Sequence, residues 1–465
     1  MYNKTLFTTA VSIFLISSCA TFNKQKTGPT EVPLKSKTIE HSFYLIGDGG
    51  NAEVGHTTDA MKLLKSKLTK ESENSTVLFL GDNIYPKGMP SKKDESRTLA
   101  EHRLNIQFES VEGFKGNSIF IPGNHDWYAD GAKGLKREQE FVEKFLGKNS
   151  FLPKNGCPIK TVDVSENIVL IIVDSHWYVT NWDRHPTIND NCDIKTRSIF
   201  IDEFRSEVKK ARGKTTLIAI HHPMFSNGEH GGQFSFKSHM LPLPVLGSLK
   251  NIIRETSGLT NTDLSNRYYN ELKKYVVAVA QQNDKVILLS GHEHSMQYIY
   301  KDNIPQIVSG AGSKTTAVRN TKDGKYGHAK QGFAVLDVYT DGSSIVRFIT
   351  AENDIVEYET LVQAPDAETK LKHYPILNQD TVHRSIYSAE ETDKSGFHKF
   401  LWGQRFREDY GTPVTANVAY IDTLKGGMIP FRLGGGKQSK TLHLKTKEGK
   451  RYVLRSMQKQ AAQFI

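Results

Sequence analysis

Cysteine is scarce here, three residues in a chain of 465, so no disulfide framework can stand in for a hydrophobic core, and a chain of this length is able to bury a large one. Long apolar runs are missing as well. The apolar stretch at residues 6–16 falls short of the roughly 20 residues that a membrane-spanning helix needs. No segment repeats itself, and charge of one sign is nowhere massed: the formal net charge is +10, with lysines scattered among acids. That distribution argues against a nucleic-acid partner, while a basic surface still attracts phosphate anions. Length alone suggests two folded units.

The first residues read as an export signal. Lys4 supplies a positive n-region, residues 6–16 the apolar core, and Ile16-Ser17-Ser18-Cys19 a run of small residues ahead of a cysteine,. This ending resembles a bacterial lipobox, with Ser18 where Gly or Ala is more usual. The resemblance implies cleavage before Cys19 and acylation of its thiol. The product is a lipid-anchored protein of the cell envelope, on the periplasmic or surface side of a membrane; a plain signal peptide is the alternative. With Cys19 so used, Cys157 and Cys192 remain, an even number in an exported chain,. They are a candidate disulfide pair, and two unpaired thiols fit the sequence equally well.

Residues 20–40 are polar, contain Pro and lack periodicity, and read as a linker from the membrane. From 41 to 362, strand-like runs at 77–80, 118–121, 168–173, 215–220 and 286–289 alternate with helical patterns at 98–108, 135–146, 199–211 and 264–280,. After Gly291 the helices stop and short strands follow at 298–300, 306–308, 333–339, 345–350 and 355–361, which predicts a second sheet completing a layered domain. Ala364-Pro365-Asp366 marks a boundary, and residues 366–465 read as a small separate unit, α+β or mostly β. Within it, Glu448-Gly449 between runs at 441–445 and 451–457 is a hairpin signal,. The Gly434-Gly435-Gly436 run reads more simply as a flexible turn than as a phosphate cradle. The chain reaches Ile465 without a capping element, which suggests an incomplete unit.

Chemistry is concentrated in five motifs, each directly after an apolar run: Gly47-Asp48, Gly81-Asp82-Asn83-Ile84-Tyr85, Gly123-Asn124-His125-Asp126, His221-His222-Pro223 and Gly291-His292-Glu293-His294. The glycines let the backbone turn sharply, so each polar residue falls at a strand's C-terminal end, the edge where α/β sheets build their sites. Asp48 and Asp82 offer carboxylates, Asn124 an amide oxygen, Tyr85 a phenolate, and His221, His292 and His294 imidazoles. A mixed O/N set of this kind suits Fe, Mn or Zn rather than Ca or a thiolate-bound metal. No single motif is specific; all of them in order, each after a strand, point to a two-metal hydrolase.

The pattern resembles that of the calcineurin-like metallophosphoesterases, and in detail that of the purple, or tartrate-resistant, acid phosphatases. Tyr85 is the discriminating residue, because in that branch a tyrosinate binds ferric iron. Ile220-His221-His222-Pro223, the stretch from Ser226 to Gly231 with His230 in it, Gly291 to Tyr298 and Val308 to Gly312 extend the similarity over residues 40–350. It implies a four-layer α-β-β-α sandwich that hydrolyses phosphate monoesters. Carried over, it also implies Asp48, Tyr85 and His294 on a ferric-type ion, Asn124, His221 and His292 on a divalent Fe, Zn or Mn, and Asp82 bridging the two. His222 stands where the family often has an aromatic residue and reads as a neighbour of the ligands. His125 and His230 would face the substrate, donating to phosphate oxygens and helping to protonate the leaving alkoxide. Two cations sharing a carboxylate screen the phosphate charge and acidify a bound water, giving hydroxide for in-line attack. A ferric partner acidifies it further.

Two other readings share these residues. On one fold the metals fix the reaction while loops fix the substrate, so a phosphodiesterase or nucleotide hydrolase is the alternative; the loops at 89–96 and 227–244 carry no readable base-recognition signature. A non-catalytic envelope scaffold is the third, and the complete ligand set argues against it. The stretch from Tyr410-Gly411-Thr412-Pro413 to Arg455 resembles one that accompanies such domains in larger bacterial envelope proteins, which makes an envelope partner an expectation for the C-terminal unit.

Overall fold

A computed structural model of the chain describes residues 19–28 and 38–365, apart from 183, 184, 186, 189, 259 and 284, together with strands beyond residue 417. It divides into a unit up to Pro365 and a second unit, Asp366–Ile465. The leader, the Gly434-Gly435-Gly436 run, Glu448-Gly449 and Tyr410 to Pro413 lie outside the described residues.

In chain order the first unit contains β1 (Gln25–Lys26), β2 (Ile39–Ile46), α1 (Asp59–Leu68), β3 (Ser75–Phe79), α2 (Arg97–Ser110), β4 (Asn117–Phe120), α3 (Ala132–Leu146), β5 (Ile159–Asp163), β6 (Ile168–Val173) and α4 (Ser175–Val179). There follow α5 (Arg197–Lys210), β7 (Thr215–Ile220), α6 (Phe236–Met240), α7 (Pro244–Ser257), α8 (Arg267–Ala280) and β8 (Val286–Ser290). The last are β9 (Met296–Lys301), β10 (Ile304–Ser309), β11 (Gly324–His328), β12 (Gly332–Tyr339), β13 (Ser344–Thr350) and β14 (Ile355–Gln363). They form an eight-stranded sheet, β1-β11-β9-β10-β8-β7-β6-β5, and a six-stranded sheet, β14-β13-β12-β2-β3-β4.

Alternation along the strands explains the layers. Phe43 and Leu45 of β2, Leu78 of β3, Leu170 of β6, Leu217 of β7 and Ile287 of β8 all join one buried cluster between the sheets. Their neighbours Tyr44, Ile46, Val77, Phe79, Val169, Ile171 and Ile218 join another, shared with helix residues such as Leu64, Leu104, Phe204 and Leu272. Strands apolar on both faces belong between two layers, and the result is the α-β-β-α sandwich that the resemblance implies.

Three details differ from the sequence reading. The late strands do not make one sheet of their own: β9 to β11 complete the larger sheet, and β12 to β14 join β2, which pairs antiparallel with β12. Residues 20–40 are not a linker throughout. Ala20 N–H donates to the Phe234 carbonyl (3.0 Å), Thr21 exchanges backbone bonds with Val318, and β1 pairs antiparallel with β11. Unpaired N–H and C=O groups on the β11 edge outweigh the weak local propensity of a polar segment. Finally, α1, α4, α6 and α7 are helices outside the helical patterns read above. In the second unit, β17 (Thr441–Lys445) and β18 (Arg451–Met457) pair antiparallel as the hairpin signal requires, β19 (Gln460–Phe464) adds to them, and β15 (Val418–Asp422) pairs with β16 (Met428–Arg432).

Candidate metal centre

The parallel strands β2, β3 and β4 of one sheet and β7 and β8 of the other end at a common edge. The two edges are joined there by Gly47 N–H donating to Ser309 O (2.7 Å), while Asp48 N–H donates to Gly81 O (2.9 Å) within the smaller sheet. The turns are so tight that Asp48, Asp82 and His292 adopt positive φ of 58°, 55° and 68°. Such conformations cost non-glycine residues energy and collect at functional sites. Gly81 at φ 89° has no room for a side chain, since a Cβ would lie 2.6 Å from His221 Nδ1 and 2.7 Å from the Gly123 nitrogen.

All the candidate ligands converge, in two groups. Tyr85 O–H lies 2.8 Å from Asp48 Oδ1, 2.8 Å from Asp82 Oδ2 and 3.1 Å from His294 Nε2. Asn124 Oδ1 lies 3.1 Å from both His221 Nε2 and His292 Nδ1. Asp82 belongs to both groups, because its other oxygen, Oδ1, is 3.4 Å from His221 Nε2. Asp82, His221 and His292 bring ligand atoms within 4.8 Å of one another and are all buried. The outward nitrogens are fixed: His221 Nδ1 meets Leu80 O (2.7 Å) and His292 Nε2 meets Thr262 O (2.8 Å), the bracing that orients metal-binding imidazoles.

A buried cluster this rich in lone pairs suits cations. The model for calcineurin-like phosphoesterases matches residues 41–296, a span that holds every one of these residues. The chain belongs to the calcineurin-like phosphoesterase family. It is a metal-dependent phosphatase, of a family whose centre is dinuclear. Curated relatives include purple acid phosphatase 17 of Arabidopsis thaliana, 19% identical over 74% of this chain and 86% of that protein, and purple acid phosphatase 4 of the same plant, 20% identical over 69% and 83%. Solved structures that align with the chain include GAP50, the anchor in the inner membrane complex of Plasmodium, at TM-score 0.48 and 15% identity over 71% of this chain and 91% of that one. A purple acid phosphatase from seeds of yellow lupin, Lupinus luteus, aligns at TM-score 0.46 and 11% identity over 70% and 54%.

The phosphoesterase fold puts these donors under electrostatic load. Burial works against charge on Asp82, yet the imidazoles of His221 and His125 outweigh it and hold its carboxyl well below the usual carboxylate range. Burial likewise works against His221, but Asp82 and Asp48 push it up to about 9. Burial, then Asp48 and Asp82, keep the Tyr85 phenol protonated far above its ordinary range. Protons thus sit where cations fit, and cation binding at such a site releases them. A phenol shared by two carboxylates becomes a phenolate only when a strong cation replaces its proton.

Two more histidines flank the centre. His125 donates its backbone N–H to Asp82 Oδ1 (2.9 Å), its Nδ1 meets Pro86 O (2.6 Å), and its Nε2 is 3.9 Å from Asp82 Oδ2. The His230 ring lies against that of His292, with centroids 4.1 Å apart and the planes tilted by 32°. Burial opposes charge on His230, and its 2.7 Å bond to Asp263 outweighs that and raises its pKa. His222 lies beside the ligands, its ring 4.3 Å from that of His292 and its Nδ1 2.7 Å from Ser175 Oγ. The Cys157 and Cys192 sulfurs are bonded, and Cys19 is partly exposed.

Several functional neighbours escape the sequence reading. Arg254 of α7 grips Asp263 through Nε (2.6 Å) and Nη2 (2.8 Å) and so fixes the partner of His230. Lys314 Nζ lies 3.3 Å from the centre of the Tyr85 ring. Buried Asp126 accepts backbone N–H bonds from Gly123 (2.7 Å), Asn83 (3.0 Å) and Ile84 (3.1 Å), tying two ligand loops together. Asp126 stands inside a ligand motif and Lys314 two residues after the Val308 to Gly312 stretch, but neither residue type announces its role there; Arg254 and Asp263 lie apart from the ligand motifs, with no local signal.

Proposed function

We propose that this chain is a phosphomonoesterase of the acid phosphatase type, with Asp48, Tyr85 and His294 holding Fe(III), Asn124, His221 and His292 a divalent Fe, Zn or Mn, and Asp82 shared. The observation that carries the reading is Asp82: one oxygen lies 2.8 Å from Tyr85 O–H and the other 3.4 Å from His221 Nε2. When bound, the two ions neutralise phosphate charge and acidify a water molecule for attack. The remaining work belongs to side chains. His125, beside Asp82 and Tyr85, and His230, beside His292, donate to the phosphate oxygens, and one of them returns a proton to the departing alkoxide,. His230 suits that step, because a carboxylate on Nδ1 stabilises the imidazolium that precedes the transfer. A cavity of about 440 Å³ lined by His230, Asp263, Phe225, Phe234 and Lys273 seats the organic part of the ester.

The leader motif supports export and a lipid anchor on Cys19, and with them a position in the cell envelope,. The test is catalytic and analytical together. Purified protein should hold about two metal ions, iron among them, and show a visible charge-transfer band that disappears in Tyr85→Phe. It should prefer para-nitrophenyl phosphate to its bis-ester at least ~10-fold in kcat/KM, a difference of about 1.4 kcal/mol in transition-state binding. The opposite preference would move the reading to a phosphodiesterase, and a colourless, fully active di-zinc protein would remove the iron.

A further inference from the structure

Helix α7 is amphipathic the wrong way round. A surface helix turns its apolar stripe toward the core. In Pro244–Ser257 it is Gly247, Asn251 and the partly buried Arg254 that face inward, while Leu246, Leu249, Ile252 and Ile253 lie 47–55% exposed. Spacings of three and four residues put Leu246, Leu249 and Ile253 on one face. The preceding segment continues the surface: Phe236 and Met240 of α6 and Leu241 and Leu243 between the helices are 39–60% exposed. A contiguous apolar patch of this kind marks an interaction site.

What covers it is indicated by the chain's other end. Ala20 forms a parallel bridge with Ser235, the N-cap of α6, and its N–H bonds Phe234 O at 3.0 Å. Cys19 is therefore fastened at the foot of the apolar patch, and the apolar residues 6–16 precede it in sequence. Exposed Lys237 and Lys250 stand on α6 and α7, against a single acid on α7, Glu255. Apolar side chains with lysines at their border suit the headgroup and acyl boundary of an anionic bilayer.

We propose that α6 and α7 form a bilayer-docking face that lies on the membrane beside the anchor at Cys19, an inference that rests on the reading of Cys19 as the lipid-bearing residue. Docking there does more than hold the protein. The opposite side of α7 carries Arg254, which fixes Asp263 and through it His230, so the centre is held next to the lipid surface, with only one helix between the bilayer and the brace of the proposed acid.

The test places a tryptophan on the face. Full-length Leu249→Trp, reconstituted into phosphatidylethanolamine and phosphatidylglycerol vesicles with brominated acyl chains, should lose more than half of the emission added by that tryptophan. Phe145→Trp, at an exposed position on α3, should lose under a tenth. Adding Leu246→Gln and Ile253→Gln should reduce the quenching at position 249 at least threefold and leave phosphatase activity in detergent unchanged, since neither residue lies in the centre. Equal quenching at positions 145 and 249, or none at 249 in vesicle-bound protein, overturns the docking face. So does shielding of the introduced tryptophan from aqueous iodide without vesicles, which would show a second copy or residues 366–465 covering it. The anchor is judged separately, by mass spectrometry of the peptide that begins at Cys19: acylated Cys19 with no quenching in Leu249→Trp removes the docking face and keeps the anchor. Unmodified Cys19 removes the anchor, and quenching still decides the face.

Discussion

The two sides of the centre are held by different means. On the β2, β3 and β4 side, Asp48, Asp82 and Asn124 sit on short turns after buried strands, and Asp126 ties two of those turns together through three backbone N–H groups. On the β7 and β8 side, His221 and His292 are fixed by carbonyls, but His230 hangs on the excursion between β7 and α8, held by Asp263 and Arg254. The first side is over-determined, as strained backbone at Asp48 and Asp82 requires. On the second side His292 is strained as well, at φ 68°, and it is His230 alone that depends on a single brace, on a segment with an exposed apolar face. The contrast predicts a division of tasks, in which the rigid side defines where cations and phosphate meet and the braced histidine adapts the site to its leaving group.

Breaking the shared carboxylate should have the largest effect. Asp82→Ala removes an oxygen from each ligand group and leaves buried His221 without the carboxylate that sustains its charge. Metal content should fall by at least one ion per chain and activity to background, both measured on the same preparation. Full metal content with residual activity above about a hundredth of wild type would show that the two groups do not depend on Asp82 as a bridge.

Next in size is the brace on the rigid side. Asp126→Ala strands three buried N–H donors, each costing about 1–3 kcal/mol, so the unfolding free energy in denaturant should drop by roughly 3 kcal/mol or more. Asp126→Asn keeps an acceptor oxygen and should recover at least half of that. A loss below about 0.5 kcal/mol, the range of ordinary surface substitutions, would mean that the ligand turns hold their shape without it.

How far this asymmetry is legible in sequence depends on distance along the chain. Every candidate ligand can be read, because each follows its strand at once and the strand's apolar alternation is local. The four-layer order can be read through the resemblance that those same motifs carry. Sheet membership after Gly291 cannot, since β9 to β11 and β12 to β14 carry the same local pattern and differ only in which edge accepts them. Helix α1 has a cap, Thr58, and a stripe of Met61, Leu64 and Leu68, so its signals are local too, although the sequence reading above does not include it. The brace on His230 is hidden altogether, because Arg254 lies within a helix whose apolar residues point outward, and pattern rules assume the reverse.

The smallest effect should come from that brace, and it sharpens the comparison because it separates positioning from ligation. Asp263→Asn keeps a hydrogen bond to His230 Nδ1 but removes the negative charge that favours the imidazolium. If His230 protonates the leaving alkoxide, the rate on a simple alkyl phosphate should fall about 10-fold, the lower end of what an outer partner contributes. The rate on para-nitrophenyl phosphate should change less than about 2-fold, because a good leaving group needs little help from an acid. His230→Ala should widen the same gap to about 10²–10⁴-fold. Metal content should stay at the wild-type value in both variants, since neither residue belongs to the two ligand groups. Equal loss on both substrates would show that His230 binds phosphate without donating the proton, and the acid would then be His125, whose Nδ1 meets the Pro86 carbonyl. Loss of metal would show instead that the looser side also holds the ions, through the ring contact of His230 with His292, and the contrast between the two sides would no longer stand.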